Sequence, residues 1–298
     1  MHLGARQENE VPFVSVVVPT LNRKKLLENC LNSFYSLDYP RSKFEVIVVD
    51  NGSTDGTKEM VYRKFPEVKL IFEKRKNSSF ARNAGWKNAK GQIIAFTDDD
   101  CVVDPYWLKN LVSGFTSAEI GGVGGPLLLL YPESIVKKFY NTPVGNFFKG
   151  DKIISVKELI TANLAVRYEV FKKNRFDVSL AYTNLEDIDF CRSLIEAGYR
   201  LLYVPNAKVY HNIDPKRLTM PSLLKRAFFS GISFYIFERK KSGKIVLIPM
   251  LLRKTLGGLL IFFLKRRVAD FFWFINCFIA FLASMLFTPI PNSDYERI

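Results

Sequence analysis

The feature of this 298-residue sequence that most constrains its fold is the alternation of short β-branched runs with helix-period segments in its N-terminal third. The apolar runs have the length and composition of buried strands and lie at residues 14–18, 44–49, 68–72 and 92–97. Segments of helical period separate them at residues 24–37 and 79–89, and Ser53 or Thr54 is the expected cap of a further helix. Strands that alternate with helices predict an α/β doubly wound fold with a mostly parallel mixed sheet.

Polar clusters follow three of these predicted strands, at residues 20–22, 50–53 and 98–100. Ligands of open α/β sheets bind at the carboxyl ends of the strands, so the three clusters are expected to meet there. The acidic run Asp98-Asp99-Asp100 is the sharpest of them. Asp98 and Asp100 alternate along an extended chain and would face one side, as two carboxylate ligands of Mg²⁺ or Mn²⁺ do. A solvated acidic turn is the structural alternative.

The formal net charge of +14 indicates an anionic partner. Basic residues late in the chain lie beside very apolar segments, which favours a membrane surface. A basic groove with stacking aromatic residues is not evident, so no nucleic-acid partner is expected. The four cysteines form no Cys-x-x-Cys pair, which argues against a structural zinc site and a disulfide framework. Residues 1–10 lack the apolar segment of a signal peptide, so the α/β domain is expected to be cytoplasmic.

The sequence becomes more basic and more apolar after about residue 215. With the polar N-terminus, this change divides the chain into three parts. Residues 1–12 are a polar tail, residues 13–215 are the α/β domain, and residues 216–298 are a helical, basic and apolar C-terminal region. Residues 268–287 have about the ~20-residue length that spans a bilayer, and Arg266 and Arg267 predict a cytoplasmic start. A buried helical hairpin, or helices that join copies into a homo-oligomer, is the alternative interpretation.

Five motifs in the α/β domain resemble family-two glycosyltransferases of GT-A fold, in order and in spacing. They are residues 16–18, Pro19-Thr20-x-Asn22, residues 46–55, Ala81-Arg82-Asn83-x-Gly85 and residues 96–100. The resemblance implies a metal-dependent, inverting transferase of the hexosyltransferase type. It also implies a nucleotide-sugar donor, most often a UDP-sugar, and Mn²⁺ or Mg²⁺ as the cofactor.

The resemblance further implies which residues bind the donor. These are Pro19, Thr20, Asn22, Asp50, Asn51, Gly52, Ser53, Arg82, Asn83, Asp98, Asp99 and Asn163. Asp50 would accept a hydrogen bond from the base, and Arg82 would approach the diphosphate or the sugar. The segment 161–164, which includes Asn163, would line the donor-sugar pocket. The alternatives are a helix-capping role for Asp50 and a surface charge for Arg82.

The implied metal ligands are Asp98, Asp100 and His211, although a lone histidine is as often structural. The pair Glu186-Asp187 begins a predicted helix at residues 186–197 and resembles the acidic pair that supplies the catalytic base. Asp187 would take the proton of the acceptor hydroxyl, and Glu186 would bind the acceptor beside it. Acidic residues at a helix start also stabilise the helix dipole, which is the structural alternative.

Together these features predict an enzyme at the cell membrane with a cytoplasmic catalytic domain. It would move a sugar to a glycan or lipid-linked acceptor in the synthesis of a surface polysaccharide or glycoconjugate. Two alternatives stay open. One is a sugar–polyprenyl-phosphate synthase, whose acceptor is a lipid phosphate. The other is a non-catalytic membrane protein that binds nucleotide-sugars.

Overall fold

The computed structural model describes residues 11–130, 150–180 and 185–213, and residues 219, 221, 222, 275, 278 and 279. The strands of this part are β1 Val14–Thr20, β2 Phe44–Asp50, β3 Lys69–Phe72, β4 Ile93–Phe96, β5 Cys101–Val103, β6 Ile120–Gly124, β7 Leu127–Leu129, β8 Ile154–Val156, β9 Leu164–Arg167, β10 Arg200–Tyr203 and β11 Val209–His211. Its α-helices are α1 Lys24–Ser33, α2 Thr57–Lys64, α3 Ser78–Lys87, α4 Trp107–Ser113 and α5 Glu186–Glu196.

Eight of the strands form one mixed sheet in the order β3-β2-β1-β4-β9-β6-β10-β8. The first four are parallel to one another, β9 is antiparallel to both of its neighbours, and β8 is antiparallel to β10. The remaining strands form a small sheet in the order β5-β11-β7. The predicted α/β fold with a mostly parallel mixed sheet is therefore confirmed, and the carboxyl ends of β1 to β4 lie at one edge.

Both faces of the inner strands β1, β2, β4 and β6 are buried, which explains why they are continuous apolar runs rather than alternating ones. Val16 and Val18 face one core, which includes Leu27 of α1. Val17 faces the other core, which includes Ala81 of α3 and Leu194 of α5. The helices are therefore divided between the two faces, as the alternation of strands and helices predicts.

Gly85 allows α3 to lie close to β1. A Cβ atom on Gly85 would lie 2.3 Å from Cγ1 of Val17, which is closer than packed carbon atoms approach. Arg82 lies one helical turn before Gly85, so this close contact sets the distance of the Arg82 side chain from the end of the sheet.

The start of α2 differs from the prediction. The helix begins at Thr57 rather than after a cap at Ser53 or Thr54. The Ser53 hydroxyl accepts a hydrogen bond from the Asn22 amide at 2.9 Å, and the Thr54 amide donates to Asn22 Oδ1 at 2.7 Å. Both residues are therefore engaged in a turn that joins the ends of β1 and β2, and the helix starts after this turn.

No helix in the described part of the chain has the length and apolar character needed to cross a bilayer. The predicted helical C-terminal region at 216–298 lies outside the described residues, apart from six positions, and so does nearly all of the apolar segment 268–287.

Candidate active site

A cavity of about 570 Å³ lies at the carboxyl ends of β1 and β4. Its volume is within the usual range of ligand pockets. Ten of the residues predicted from the sequence line it: Pro19, Thr20, Asn51, Arg82, Asp98, Asp99, Asp100, Glu186, Asp187 and His211. The structure therefore joins the donor-side motifs of the N-terminal half to the acidic pair at residues 186–187, as the predicted site requires.

The acidic run is held in place by the last residue of β1, Thr20, and by Arg23, which follows that strand. Thr20 Oγ1 donates to Asp99 Oδ2 at 2.8 Å, and Arg23 Nη1 donates to both Asp99 Oδ1 and Asp100 Oδ2 at 2.9 Å. Burial raises the pKa of Asp99 to about 6, although Arg23 acts in the opposite direction. Both oxygens of Asp99 are thus bonded to protein side chains.

Arg82 connects the acidic run to the acidic pair. Its Nη2 donates to Asp98 Oδ1 and its Nη1 to Glu186 Oε1, both at 3.0 Å. Ser78 Oγ also donates to Glu186 Oε1, at 3.1 Å. Burial alone would lower the pKa of Arg82, but Asp98, Glu186 and Asp187 raise it, so the guanidinium remains charged. The surface-charge alternative for Arg82 is wrong, because this side chain is only 5% exposed.

Asp187 lies at the start of α5, and its orientation is set by a 3₁₀ turn at Thr161–Asn163. Asp187 Oδ2 accepts hydrogen bonds from the amide of Thr161 at 3.1 Å and from its hydroxyl at 3.4 Å. Burial raises the pKa of Asp187, while Arg82 and the Thr161 amide oppose that shift. Burial also raises the pKa of Glu186 to about 7, and the neighbouring Asp187 adds to this. The pair therefore holds its protons at higher pH than free carboxylic acids do.

His211 reaches the acidic run through the small sheet, in which β11 pairs with β5 and His211 lies opposite Cys101. His211 Nε2 lies 3.3 Å from Asp100 Oδ1. Two ligands of one octahedral ion are roughly 3 Å apart, so an imidazole and a carboxylate at this separation suit a divalent cation. Among the described residues, no three His, Cys, Asp or Glu side chains converge on one ion position. Asp98 faces Arg82 instead, so a joint triad of Asp98, Asp100 and His211 stays a prediction.

The turn after β2 lies next to the cavity. Asp50 Oδ1 accepts hydrogen bonds from the amides of Gly52 at 3.1 Å and Ser53 at 2.8 Å, so Asp50 caps this turn. The helix-capping alternative for Asp50 is wrong, because α2 begins only at Thr57 and has no side-chain cap. Gly52 has a φ of 97°, which favours glycine. Asn22 caps the neighbouring turn with its side-chain oxygen. These four residues were predicted to bind the nucleotide-sugar, but they do not line the cavity. Recognition of the base by Asp50 stays a prediction.

Asn163 and Asn83 are placed differently from the prediction. Asn163 is fully buried: its oxygen accepts from Trp107 Nε1 at 2.9 Å, and its amide nitrogen donates to two backbone carbonyls. Asn83 Nδ2 donates to the Phe176 carbonyl, and Asn83 Oδ1 accepts from Trp86 Nε1. Both side-chain amides form hydrogen bonds inside the protein and do not face the predicted nucleotide-sugar site. In the segment 161–164, Thr161 and Ala162 line the cavity and Asn163 faces away from it.

Several lining residues were missed by the sequence analysis: Leu21, Arg23, Lys76, Asn77, Ser78, Leu127 and Ile160. Asn77 caps α3, because its side chain accepts from the Ser79 amide at 2.6 Å. Asn51 holds the preceding loop by donating to the carbonyls of Glu73 and Arg75. The Asn-Ser-Ser sequence at the start of α3 is a recognisable capping signal that predicts this wall of the cavity.

A second depression, of about 640 Å³, lies near the amino ends of β1 and β4. Lys90, Arg167 and Lys172 line it, together with apolar residues such as Phe115. It contains none of the residues predicted for the site. The acidic residues therefore make the smaller cavity the candidate active site.

Models of known families match this chain over most of its length. The model for "Glycosyl transferase family 2" matches residues 15–158, and that for "Glycosyl transferase family group 2" matches residues 93–289, which is more than half of the chain. The first range includes the acidic run and the second includes both the acidic run and the acidic pair.

Known proteins show the same relationship. Glycosyltransferase AglE of Haloferax volcanii is 32% identical over 228 residues, covering 74% of this chain and 72% of the relative. A dolichyl N-acetyl-alpha-D-glucosaminyl phosphate 3-beta-D-2,3-diacetamido-2,3-dideoxy-beta-D-glucuronosyltransferase of Methanococcus voltae is 26% identical over 274 residues, covering 84% of this chain and 83% of the relative.

Among solved structures, a mannosyltransferase of Pyrobaculum calidifontis in complex with GDP-Man and Mn²⁺ has the same fold. It has a TM-score of 0.60 and 23% identity and covers 97% of this chain and 79% of its own. The fold is thus GT-A-like. With the family matches and with the acidic run and the acidic pair facing one cavity, we conclude that the chain belongs to glycosyl transferase family 2 and is a glycosyltransferase.

Proposed function

We propose that this chain is a metal-dependent, inverting hexosyltransferase that moves a sugar from a UDP-sugar to a glycan or lipid-linked acceptor. Its product would belong to a surface polysaccharide or glycoconjugate. The observation that carries the proposal is the bridge through Arg82, which holds Asp98 and Glu186 on either side of one cavity. A donor at the acidic run and an acceptor at the acidic pair would thereby be neighbours.

Asp187 is the proposed general base. The acceptor oxygen forms a bond to the anomeric carbon as the bond from that carbon to the donor phosphate breaks, and the hydroxyl proton passes to the Asp187 carboxylate. Because the Thr161 amide holds Oδ2, rotation of the carboxylate is restricted. The raised pKa of Asp187 makes it a stronger base than a free aspartate, which is the direction that proton abstraction needs.

Glu186 is the proposed acceptor-binding residue. Its Oε1 accepts from Arg82 and Ser78, whereas its buried Oε2 has no hydrogen-bond partner among the described residues. A buried carboxylate oxygen without a partner is unfavourable, so an atom that completes its bonding would bind well. A hydroxyl of the acceptor sugar is such a donor.

The donor side of the cavity holds three basic side chains as well as the acidic run. A divalent cation held by Asp98, Asp100 and His211 would neutralise charge on the leaving diphosphate. Arg82, Arg23 and Lys76 line the same cavity and would attract the phosphates electrostatically. The Mn²⁺ in the mannosyltransferase structure supports a divalent metal for this fold.

A lipid-linked acceptor is supported by the relative from Methanococcus voltae, whose name specifies a dolichyl-linked substrate. The apolar region at 216–298 is consistent with such an acceptor, and we propose that it attaches the enzyme to the cell membrane, with the catalytic domain on the cytoplasmic side. The same region is a candidate surface for homo-oligomerisation.

The test is a transfer assay with the full chain in membranes or detergent, using UDP-, GDP- and dTDP-sugars with a lipid-linked sugar acceptor. We expect transfer from a UDP-sugar only with Mn²⁺ or Mg²⁺, and NMR of the product should show an inverted anomeric centre. Transfer that survives chelation, or that uses only another nucleotide, would contradict the metal or the donor assignment. Full activity of Asp187→Asn would instead indicate a lipid-phosphate acceptor, which needs no base.

A further inference from the structure

Arg23 pairs through one nitrogen with two adjacent carboxylates. Its Nη1 lies 2.9 Å from Asp99 Oδ1 and 2.9 Å from Asp100 Oδ2. The two carboxylate side chains are only 5% and 4% exposed, whereas Arg23 is 36% exposed and lines the cavity. One accessible cation therefore compensates two buried anions, while Asp98 is neutralised separately by Arg82.

This arrangement also directs Asp100. Arg23 binds Oδ2, and the other oxygen of the same carboxylate, Oδ1, lies 3.3 Å from His211 Nε2. Because Arg23 holds one oxygen of the Asp100 carboxylate, it also limits the direction of the other oxygen. Removing Arg23 would take away this bond to Asp100 and would leave two adjacent buried carboxylates without the guanidinium that they share, which is strongly unfavourable.

We infer that Arg23 is a positioning residue and an internal counter-cation. It holds Asp99 and Asp100 in place before a divalent ion binds, and it weakens the binding of that ion when no donor is present. The reason is electrostatic: a guanidinium bonded to Asp100 repels a second cation at the same carboxylate. Donor phosphates would reverse this effect, because their negative charge attracts both the ion and the exposed part of Arg23. The inference rests on the proposed function, in which Asp100 is a metal ligand.

The experiment uses Arg23→Gln in the full chain, with Arg41→Gln as the matched control. Arg41 forms an ion pair with Glu67 in which both side chains are at least 40% exposed, outside the cavity. We expect Arg23→Gln to lower the cation-free melting temperature by roughly 5 °C and saturating Mn²⁺ to restore most of that loss. We also expect the affinity for Mn²⁺ without nucleotide, measured by EPR of the free ion, to tighten roughly threefold to tenfold. Arg41→Gln should change neither quantity.

A weaker affinity for Mn²⁺, or an unchanged cation-free melting temperature, would overturn the inference. A loss of UDP affinity alone would do so as well, because Arg23 would then be only a phosphate contact. If Arg23→Gln does not fold, the double variant Arg23→Gln/Asp99→Asn, which removes one of the two anions, is expected to fold and to bind Mn²⁺ at least as tightly as the wild type. The cation-free melting temperature requires neither donor nor turnover, so it separates this inference from the proposed function.

Discussion

Arg82 Nη1 donates to Glu186 Oε1 at 3.0 Å across a sequence separation of 104 residues. The bond joins α3, which carries one of the donor-side motifs, to α5, which carries the acidic pair. Because the same guanidinium also binds Asp98, one side chain sets the spacing between the acidic run and the acidic pair of the candidate active site. Both partners of the Arg82–Glu186 pair are less than 10% exposed, so water screens their interaction little.

The first prediction concerns this pair. Arg82→Met should lower the free energy of unfolding by about 3–5 kcal/mol, because it leaves the Glu186 carboxylate buried without a counter-charge. Urea denaturation measures the loss. The double variant Arg82→Met/Glu186→Gln should recover a substantial part of it, since the uncompensated charge is then gone. Additive losses in this cycle would show that the two residues do not interact.

The second prediction separates the two aspartates of α5. Asp187→Asn should reduce kcat for transfer by about 10²–10⁴-fold, the usual contribution of a general base, while UDP binding stays within twofold. Asp189→Asn is the matched control, because Asp189 is paired with Arg192 and does not line the cavity. Activity assays and calorimetric titration of UDP make the measurement. Equal losses in both variants would point to a general effect on α5 instead.

The third prediction is the pH dependence of activity. As the proposed general base, Asp187 must be deprotonated to act, and burial raises its pKa. The value of kcat/KM should therefore begin to fall at a higher pH than the ordinary aspartate pKa of 3.8 would predict. Glu186→Gln removes the neighbouring negative charge and should move this acidic limb to lower pH, whereas Asp189→Asn should leave it in place. If the acidic limb of the pH profile does not shift in Glu186→Gln, Glu186 and Asp187 are not electrostatically coupled.

The fourth prediction concerns stability against pH. A carboxyl whose pKa is higher in the folded state than in the unfolded chain contributes stability below its ordinary pKa and loses it as pH rises. For Glu186 that window runs from 4.5 to about 7. The free energy of unfolding of Glu186→Gln, relative to the wild type, should therefore rise between these pH values. Urea titrations at pH 5 and pH 8 test the sign, and a relative decrease would contradict it.

The fifth prediction tests the placement of Asn163. Asn163→Ala removes the acceptor of Trp107 Nε1 and the donor of two carbonyls in a fully buried position, so it should cost roughly 3 kcal/mol of stability. The folded variant should bind UDP with unchanged affinity. Asn88→Ala is the control, since its amide bonds to the Ala84 carbonyl at the surface. A selective loss of UDP binding in Asn163→Ala would show instead that Asn163 belongs to the donor site.

The elements of the N-terminal half were predictable because their signals are local. The apolar run 44–49 indicates a strand that is buried on both faces, and the helical period of α1 indicates a helix that is buried along one stripe. Both patterns can be recognised from residues that are close together in the chain. Strand ends are equally local, so Asp98 and Asp100 were predicted at the correct edge. The Glu186-Asp187 pair was predicted from its resemblance to a family motif, and the structure places it at the start of α5.

Partners and side-chain directions, in contrast, were decided by the tertiary structure. In the 3₁₀ turn Thr161–Asn163, successive side chains differ in direction by about a third of a turn, so Thr161 faces the cavity while Asn163 faces Trp107. Likewise, Arg23 reaches Asp99 and Asp100 only because β1 and β4 are adjacent in the sheet. The sequence by itself determined which residue types stand at the ends of the strands. Only the packing of distant segments determined which charges neutralise one another, because ion pairs depend on distance in space and leave no periodic pattern along the chain.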